Sequence, residues 1–272
     1  MVADRPHEAD PVSAFSGSSH ARVQERWLEQ AAKKEAARTG DSEDSVVACY
    51  RQRLHQGEPL QYVLGTWQFR WLDLQVDRRA LIPRPETELL VDLVVSEIAD
   101  AGSARVLEFG TGTGAIAASL ASEVPSLYVV ATDSSQDALA LAAENIDQLG
   151  LDQRVELRRG HWWEAVEPHE RFAIICSNPP YVSDDEWLEL ETGVRDWEPR
   201  EALVAGPSGL ECYQVIFERA VRHLDGERGA VIVEIGAEQG PDVVDIARSA
   251  SFGAAIIRQD LTGRDRFVVA RR

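Results

Sequence analysis

Asn178-Pro179-Pro180-Tyr181 stands at the end of the apolar run Phe172-Ala-Ile-Ile-Cys176-Ser177. Two consecutive prolines remove two backbone N–H donors and hold φ at about −65°. Asn178, ahead of a proline, is pushed toward extended geometry. What results is a stiff segment rich in acceptors: the Asn178 side-chain oxygen and the carbonyls beside it. It suits an –NH2 group on a planar carbon, as in a carboxamide or an exocyclic nucleobase amine, and Tyr181 adds a flat face. The plainer alternative is a turn after a strand that happens to hold two prolines.

A second cluster lies upstream in Val106-Leu107-Glu108-Phe109-Gly110-Thr111-Gly112-Thr113-Gly114-Ala115-Ile116-Ala117. A strand-like run enters a loop with glycine at alternate positions, and an apolar helix then begins. Glycine lets the chain turn sharply and lets a ligand approach with no Cβ in the way. The spacing Gly-x-Gly-x-Gly differs from the dinucleotide pattern Gly-x-Gly-x-x-Gly. Asp133 follows the next apolar run, Tyr128-Val-Val-Ala-Thr132. There the second strand of a doubly wound sheet presents a carboxylate to ribose hydroxyls. Asp133 can also serve as N-cap of the helix that follows.

An acid with alternating glycines, an acid after the second strand, and Asn-Pro-Pro-Tyr after the fourth occur here in one order. In that order the chain resembles an S-adenosylmethionine-dependent methyltransferase acting on an amide or amino nitrogen. Three further segments narrow the resemblance: Glu58-Pro-Leu-Gln-Tyr62-Val-Leu-Gly65-Thr-Trp-Gln-Phe69, Leu81-Ile-Pro83-Arg84-Pro85-Glu86-Thr87-Glu88 and Val194-Arg195-Asp196-Trp197-Glu198-Pro199-Arg200. All look like the bacterial release factor glutamine methyltransferases, and the match runs from about Gly57 to the C-terminus. That family methylates the side-chain N5 of the glutamine in the Gly-Gly-Gln loop of peptide chain release factors. The resemblance implies a class I methyltransferase fold, S-adenosylmethionine as cofactor, a release factor as protein partner, and a monomer. Competing readings are the glutamine methyltransferase of a ribosomal protein, an amino-methyltransferase of nucleic acid, and a non-catalytic cofactor-binding scaffold.

With that cofactor, its carboxylate falls at the start of the helix after Gly114, where backbone N–H groups are unpaired. Gly110, Thr111, Gly112, Thr113 and Gly114 are expected along its methionine and ribose, and Asp133 at the ribose. Glu108 is expected to meet the amino group, the alternative being a strand-end acid exposed to solvent. In the family, an acid precedes the aromatic of the segment matching Gly160-His161-Trp162-Trp163; here His161 takes its place. Trp162 is expected to stack on adenine or line its pocket, and Trp163 reads as core. The reaction is then an in-line displacement by the glutamine amide nitrogen. Asn178, bordering the cofactor as well, and the Pro179 carbonyl accept its two N–H groups, Pro180 stiffens the segment, and Tyr181 packs on the carboxamide plane. Pro83-Arg84-Pro85 reads as a stiff lead into a helix, with Arg84 near the mouth of the site.

Forty-six acidic residues face twenty-eight basic ones, of which only Lys33 and Lys34 are lysines, for a formal net charge of −18. Such a surface repels phosphate backbones and argues against a nucleic-acid substrate. It fits either a salt-adapted host or arginine-rich codon usage. No apolar stretch approaches the roughly 20 residues of a membrane span, and the N-terminus lacks a signal peptide pattern. Cys49, Cys176 and Cys212 have no pair spacing, and buried reduced thiols in a cytoplasmic protein are expected. The six histidines show no metal-ligand spacing, so no metal is expected.

These residues need a scaffold, and the patterning supplies one. Residues 1–20 read as a disordered tail, and 21–64 as a helical domain that docks the protein substrate. Its helices cover 21–37 and 42–55, with Trp27, Leu28 and Ala31 on one face and Val46, Val47, Tyr50 and Leu54 on another. Residues 65–82 read as a linking β-hairpin and 83–272 as the methyltransferase domain. There a helix runs to about Ile98. Strands follow at 104–109, 127–132, 154–159, 172–177, 229–235, 254–258 and 266–270, with helices at 113–123, 135–149, 210–224 and 239–250. A long loop separates Asn178 from the helix at 210. The fold class is therefore α/β: a doubly wound, mostly parallel, seven-stranded sheet with a small N-terminal helical domain.

Overall fold

The computed structural model describes residues 17–98, 104–226 and 229–272. Most of the expected N-terminal tail lies outside these residues. The chain divides into two compact units between Leu64 and Gly65.

The first unit holds α1 (Gly17–Thr39), α2 (Glu43–His55) and α3 (Leu60–Leu64). Helix α1 thus begins ahead of the expected residue 21. Its buried stripe is Leu28, Ala32 and Ala36, packed with Val46, Tyr50 and Val63. Gly40, at φ +83°, turns the chain, and the Ser42 hydroxyl caps α2 by accepting from the Ser45 N–H. Arg53 grips Glu58 through two hydrogen bonds of 2.9 and 2.7 Å and donates to the Tyr62 and Val63 carbonyls. The short helix α3, missed in the sequence, is thereby tied to α2. Cys49 is exposed, against expectation, because it lies on the outer side of α2; Cys176 and Cys212 are buried.

The second unit opens with the hairpin β1 (Thr66–Phe69) and β2 (Leu72–Gln75), then α4 (Glu88–Ile98). Next come β3 (Ala104–Phe109), α5 (Ala115–Glu123), β4 (Leu127–Asp133), α6 (Gln136–Gln148), β5 (Val155–Arg159) and β6 (Ile174–Ser177). The expected long loop contains β7 (Val182–Ser183), α7 (Asp184–Glu189), α8 (Thr192–Arg195) and β8 (Val204–Gly206). The chain finishes with α9 (Glu211–His223), β9 (Ala230–Glu234), α10 (Gly240–Ser249), β10 (Ala254–Gln259) and β11 (Asp265–Arg271).

Seven strands form one sheet in the order β10-β11-β9-β6-β3-β4-β5. The five from β9 to β5 run parallel, and β11 runs antiparallel to both its neighbours, β9 and β10. Alternate strand residues feed two cores, as a pleated sheet requires. Val106, Ile174 and Ile232 pack with α4 and α5 on one face. Leu107, Ile175 and Val233 pack with α9 and α10 on the other. Connections therefore leave β3 toward one face and β6 toward the other. The switch point lies between these two strands, where a ligand crevice opens at their carboxyl ends.

Candidate active site

The glycine loop leaves β3 at this switch point, and Asn178 leaves β6 beside it. Gly110, Gly112 and Gly114 have φ of +70°, +56° and +82°, the left-handed region that favours glycine. At Gly114 a Cβ would also come within 3.3 Å of the Ala142 Cβ. The loop is closed by its own backbone, with Thr111 donating to the Thr132 carbonyl and Gly114 to the Thr111 carbonyl. It then passes into α5, whose first N–H groups have no intrahelical acceptor.

Asp133 accepts from the Gly112 N–H and the Ser135 N–H, each at 2.9 Å. It is not the N-cap of α6; the Ser135 hydroxyl takes that place by accepting from Ala138. The Ser134 N–H acts on the same carboxylate, which lines the cleft. Burial raises the Asp133 pKa, with the backbone donors opposing the rise and the Glu201 charge adding to it.

Glu108 is fully buried, which removes the solvent-exposed alternative. It lies beneath the loop rather than on the wall of the cleft. Burial pushes its pKa up to about 8. The Thr111 hydroxyl donates to one of its oxygens at 3.0 Å, and the other oxygen is buried with no hydrogen-bond partner. A buried acceptor without a donor is costly; the Thr111 hydroxyl and the Ala117 N–H at the start of α5 oppose the rise.

The cleft has a volume of about 410 Å³ and is lined by Gly110, Thr111, Gly112, Thr113, Asp133, Trp162, Asn178 and Pro180 among others. Gly114, Pro179 and Tyr181 are not among its lining residues but adjoin them in the chain. Pro179 is buried; Tyr181 packs against the core on the α9 face. Its carbonyl accepts from the side chain of Gln239, the residue just ahead of α10, at 2.9 Å, which steadies the Pro-Pro-Tyr segment. Trp162 adopts φ +50°, uncommon for a bulky residue, and its ring meets Phe109 edge-on at 5.7 Å. Trp163 belongs to the core, donating to the Val215 carbonyl at 2.7 Å and stacking on His223. His161 is exposed and also lines the cleft.

Asn178 is held by one side-chain bond. Its Nδ2 donates to the Thr87 hydroxyl at 3.1 Å, and that hydroxyl donates to Glu234 at 2.7 Å. Its Oδ1 is left to accept. Neither partner was singled out from the sequence. The two proline-arginine motifs meet here as well: Arg84 donates to Glu198 at 2.6 Å, and Glu198 accepts from the Ile82 N–H at 3.1 Å. Arg84 lines the cleft, but its guanidinium is paired to this buried acid. Among the described residues no group of three or more His, Cys, Asp or Glu side chains is placed to hold a metal ion. No described helix is long and apolar enough to cross a membrane.

The arrangement can seat a nucleoside with a charged tail and present an acceptor to an –NH2 group beside it. Comparison with known proteins agrees. Residues 86–191 match the family model described as Methyltransferase small domain. The release factor glutamine methyltransferase of Gloeobacter violaceus is 41% identical over 227 residues, covering 83% of this chain and 79% of its own. That of Lactococcus lactis subsp. lactis is 42% identical over 231 residues, covering 84% and 83%. A solved methyltransferase from Pyrococcus furiosus aligns with a TM-score of 0.53 over 81% of this chain and 96% of its own, at 17% identity, a likeness of fold alone.

Proposed function

The chain belongs to the release factor glutamine methyltransferase family, and on that footing we propose that it methylates the side-chain N5 of the glutamine in the Gly-Gly-Gln loop of peptide chain release factors. Its cofactor is S-adenosylmethionine, which supplies an electrophilic methyl group on a sulfonium. The observation that carries the site assignment is the Asn178 oxygen, left to accept at the cleft shared with the glycine loop.

An amide nitrogen is a poor nucleophile because its lone pair is delocalised into the carbonyl. Acceptors on its two N–H bonds, the Asn178 oxygen and the Pro179 carbonyl, aim that lone pair and bind more strongly as the nitrogen turns cationic. Such contacts stabilise the transition state over the ground state. No strong base is required, since the proton leaves once the nitrogen has become acidic. Positioning accounts for much of the remainder. Tyr181 is assigned the carboxamide face on the strength of the motif.

Gly110, Thr111, Gly112, Thr113 and Gly114 hold the cofactor's methionine and ribose, and Asp133 takes the ribose hydroxyls. Glu108 draws the cofactor ammonium, directly or through water, and Trp162 borders the adenine. Residues 21–64 are assigned the docking of the release factor and 65–82 the link to residues 83–272. The protein is assigned to the cytoplasm, as a monomer without nucleic-acid substrate.

Radiolabelled S-adenosylmethionine offered with a bacterial release factor, a large-subunit ribosomal protein or transfer RNA tests the reading. Label in the release factor is expected. Label in either of the other two, with none in the release factor, contradicts it.

A further inference from the structure

Thr87, from the segment Pro85-Glu86-Thr87, reaches the cleft, is buried to 5% exposure and touches Asn178. Its other partner, Glu234, is 2% exposed and ends β9. Register places Val233 opposite Ser177, so Glu234 and Asn178 leave neighbouring parallel strands at the same level. Thr87 comes from the 3-10 turn Pro85–Thr87 that leads into α4. Three distant stretches of chain thus converge on one hydroxyl.

A threonine hydroxyl has a single hydrogen, and an ionised carboxylate can only accept. While Glu234 is ionised, the Thr87 hydrogen is committed to it at 2.7 Å. The Thr87 oxygen can then only accept, and the group that donates to it is the Asn178 –NH2. The carboxamide of an asparagine has two nearly isosteric orientations, and the network around it decides between them. In this network the oxygen is left for the cleft. The opposite orientation would turn an –NH2 toward the substrate's own –NH2, donor against donor.

We propose that Thr87 and Glu234 are positioning residues for methyl transfer, a relay that fixes the Asn178 carboxamide with its oxygen toward the substrate nitrogen. The inference rests on the reading of function above. Protonating Glu234 lifts the constraint, because a carboxylic acid can donate to Thr87 and free the Thr87 hydrogen for the Asn178 oxygen. The charged and titratable groups around Glu234 are Arg266 on β11, Arg84 and Glu86 ahead of α4, Tyr181, and Tyr213 on α9. Burial pushes Glu234 up to about 7, with the Thr87 bond and the two arginines opposing the rise. The relay is therefore set at higher pH and released as pH falls through that range.

The test compares wild type, Thr87→Val, Thr87→Ser and Glu234→Gln with a bacterial release factor. Single-turnover transfer rate, cofactor Kd and melting temperature are measured between pH 6 and 9 (an on-scale range around the expected midpoint of about 7). Thr87→Val, which keeps the shape and loses the hydroxyl, is expected to slow transfer by about tenfold to a hundredfold with cofactor Kd unchanged. Thr87→Ser restores the rate, and Glu234→Gln loses the rise of rate with pH. A wild-type rate in Thr87→Val, or a loss that Thr87→Ser does not rescue, overturns the relay while leaving the function intact. No transfer by wild type overturns the functional reading and the relay with it.

Discussion

Trp162 is the residue whose backbone argues for its side chain. Left-handed φ costs a non-glycine residue about 1–2 kcal/mol, and Trp162 adopts it, at φ +50°, on the wall of the cleft. Strain of this kind is found where the surroundings hold a group in place for use. Trp162→Ala is expected to raise the cofactor Kd by about tenfold, the scale of a lost aromatic contact, with little change in melting temperature. An unchanged Kd by calorimetry would reduce the ring to packing against Phe109. Asn178, the three glycines and Asp133 could be singled out from the sequence because their short patterns occur together in one order, whereas Trp162 was singled out through the family resemblance. Glu108 was legible as a residue but not in its setting, since a strand-end acid can lie above or below its loop. Thr87 and Glu234 were not legible: they are 147 residues apart, and no local pattern joins them.

At the scale of elements, the site depends on how the hairpin, the glycine loop and α6 are bound together. Asn145 of α6, 1% exposed, does this with one side chain. Its oxygen accepts from the Gln75 N–H at 2.7 Å, and its –NH2 donates to the Gln75 carbonyl at 3.0 Å and the Thr113 carbonyl at 2.9 Å. Asn145→Ala strands three backbone groups, and a buried unsatisfied group costs about 1–3 kcal/mol. The variant is expected to lose at least about 2 kcal/mol in urea unfolding and to bind cofactor more weakly, because Thr113 belongs to the loop. Stability within error of wild type would mean that water replaces all three bonds. The seven main strands were readable because runs such as 104–109 and 229–235 are mostly apolar, with Arg105, Glu108 and Glu234 as the charged exceptions, as in sheets covered on both faces. The stretch between Asn178 and α9 read as loop because its elements are too short for periodicity. One signal there was available: Ser183 and Glu186 form a reciprocal capping box, with bonds of 3.2 and 2.8 Å, and Ser-x-x-Glu marks a helix start.

For the molecule as a whole, the strand order places Asn178 and the glycine loop at one switch point, on a chain with a large excess of acid. Local ion pairs such as Arg158 and Arg105 on Glu170 hold that carboxyl down to about 2. They do not cancel a formal net charge of −18. Added salt shortens the Debye length from about 10 Å at 0.1 M to about 3 Å at 1 M and screens this self-repulsion. The melting temperature is expected to rise between low and molar KCl. A fall, or no change, would show that screened ion pairs outweigh the net repulsion. The sheet's composition was visible in the alternation of strands and helices, whereas its strand order has no local signal in the sequence and comes from the structure.

The central claim is that Asn178 presents the glutamine nitrogen of a release factor to the methyl donor. Its most direct test is peptide mass spectrometry of a bacterial release factor after incubation with the protein and S-adenosylmethionine, in parallel with Asn178→Ala. One added methyl on the glutamine of the Gly-Gly-Gln loop, lost in Asn178→Ala while cofactor binding is weakened far less, is the result the account predicts. An unmodified glutamine despite measurable cofactor binding, or full methylation by Asn178→Ala, would contradict it.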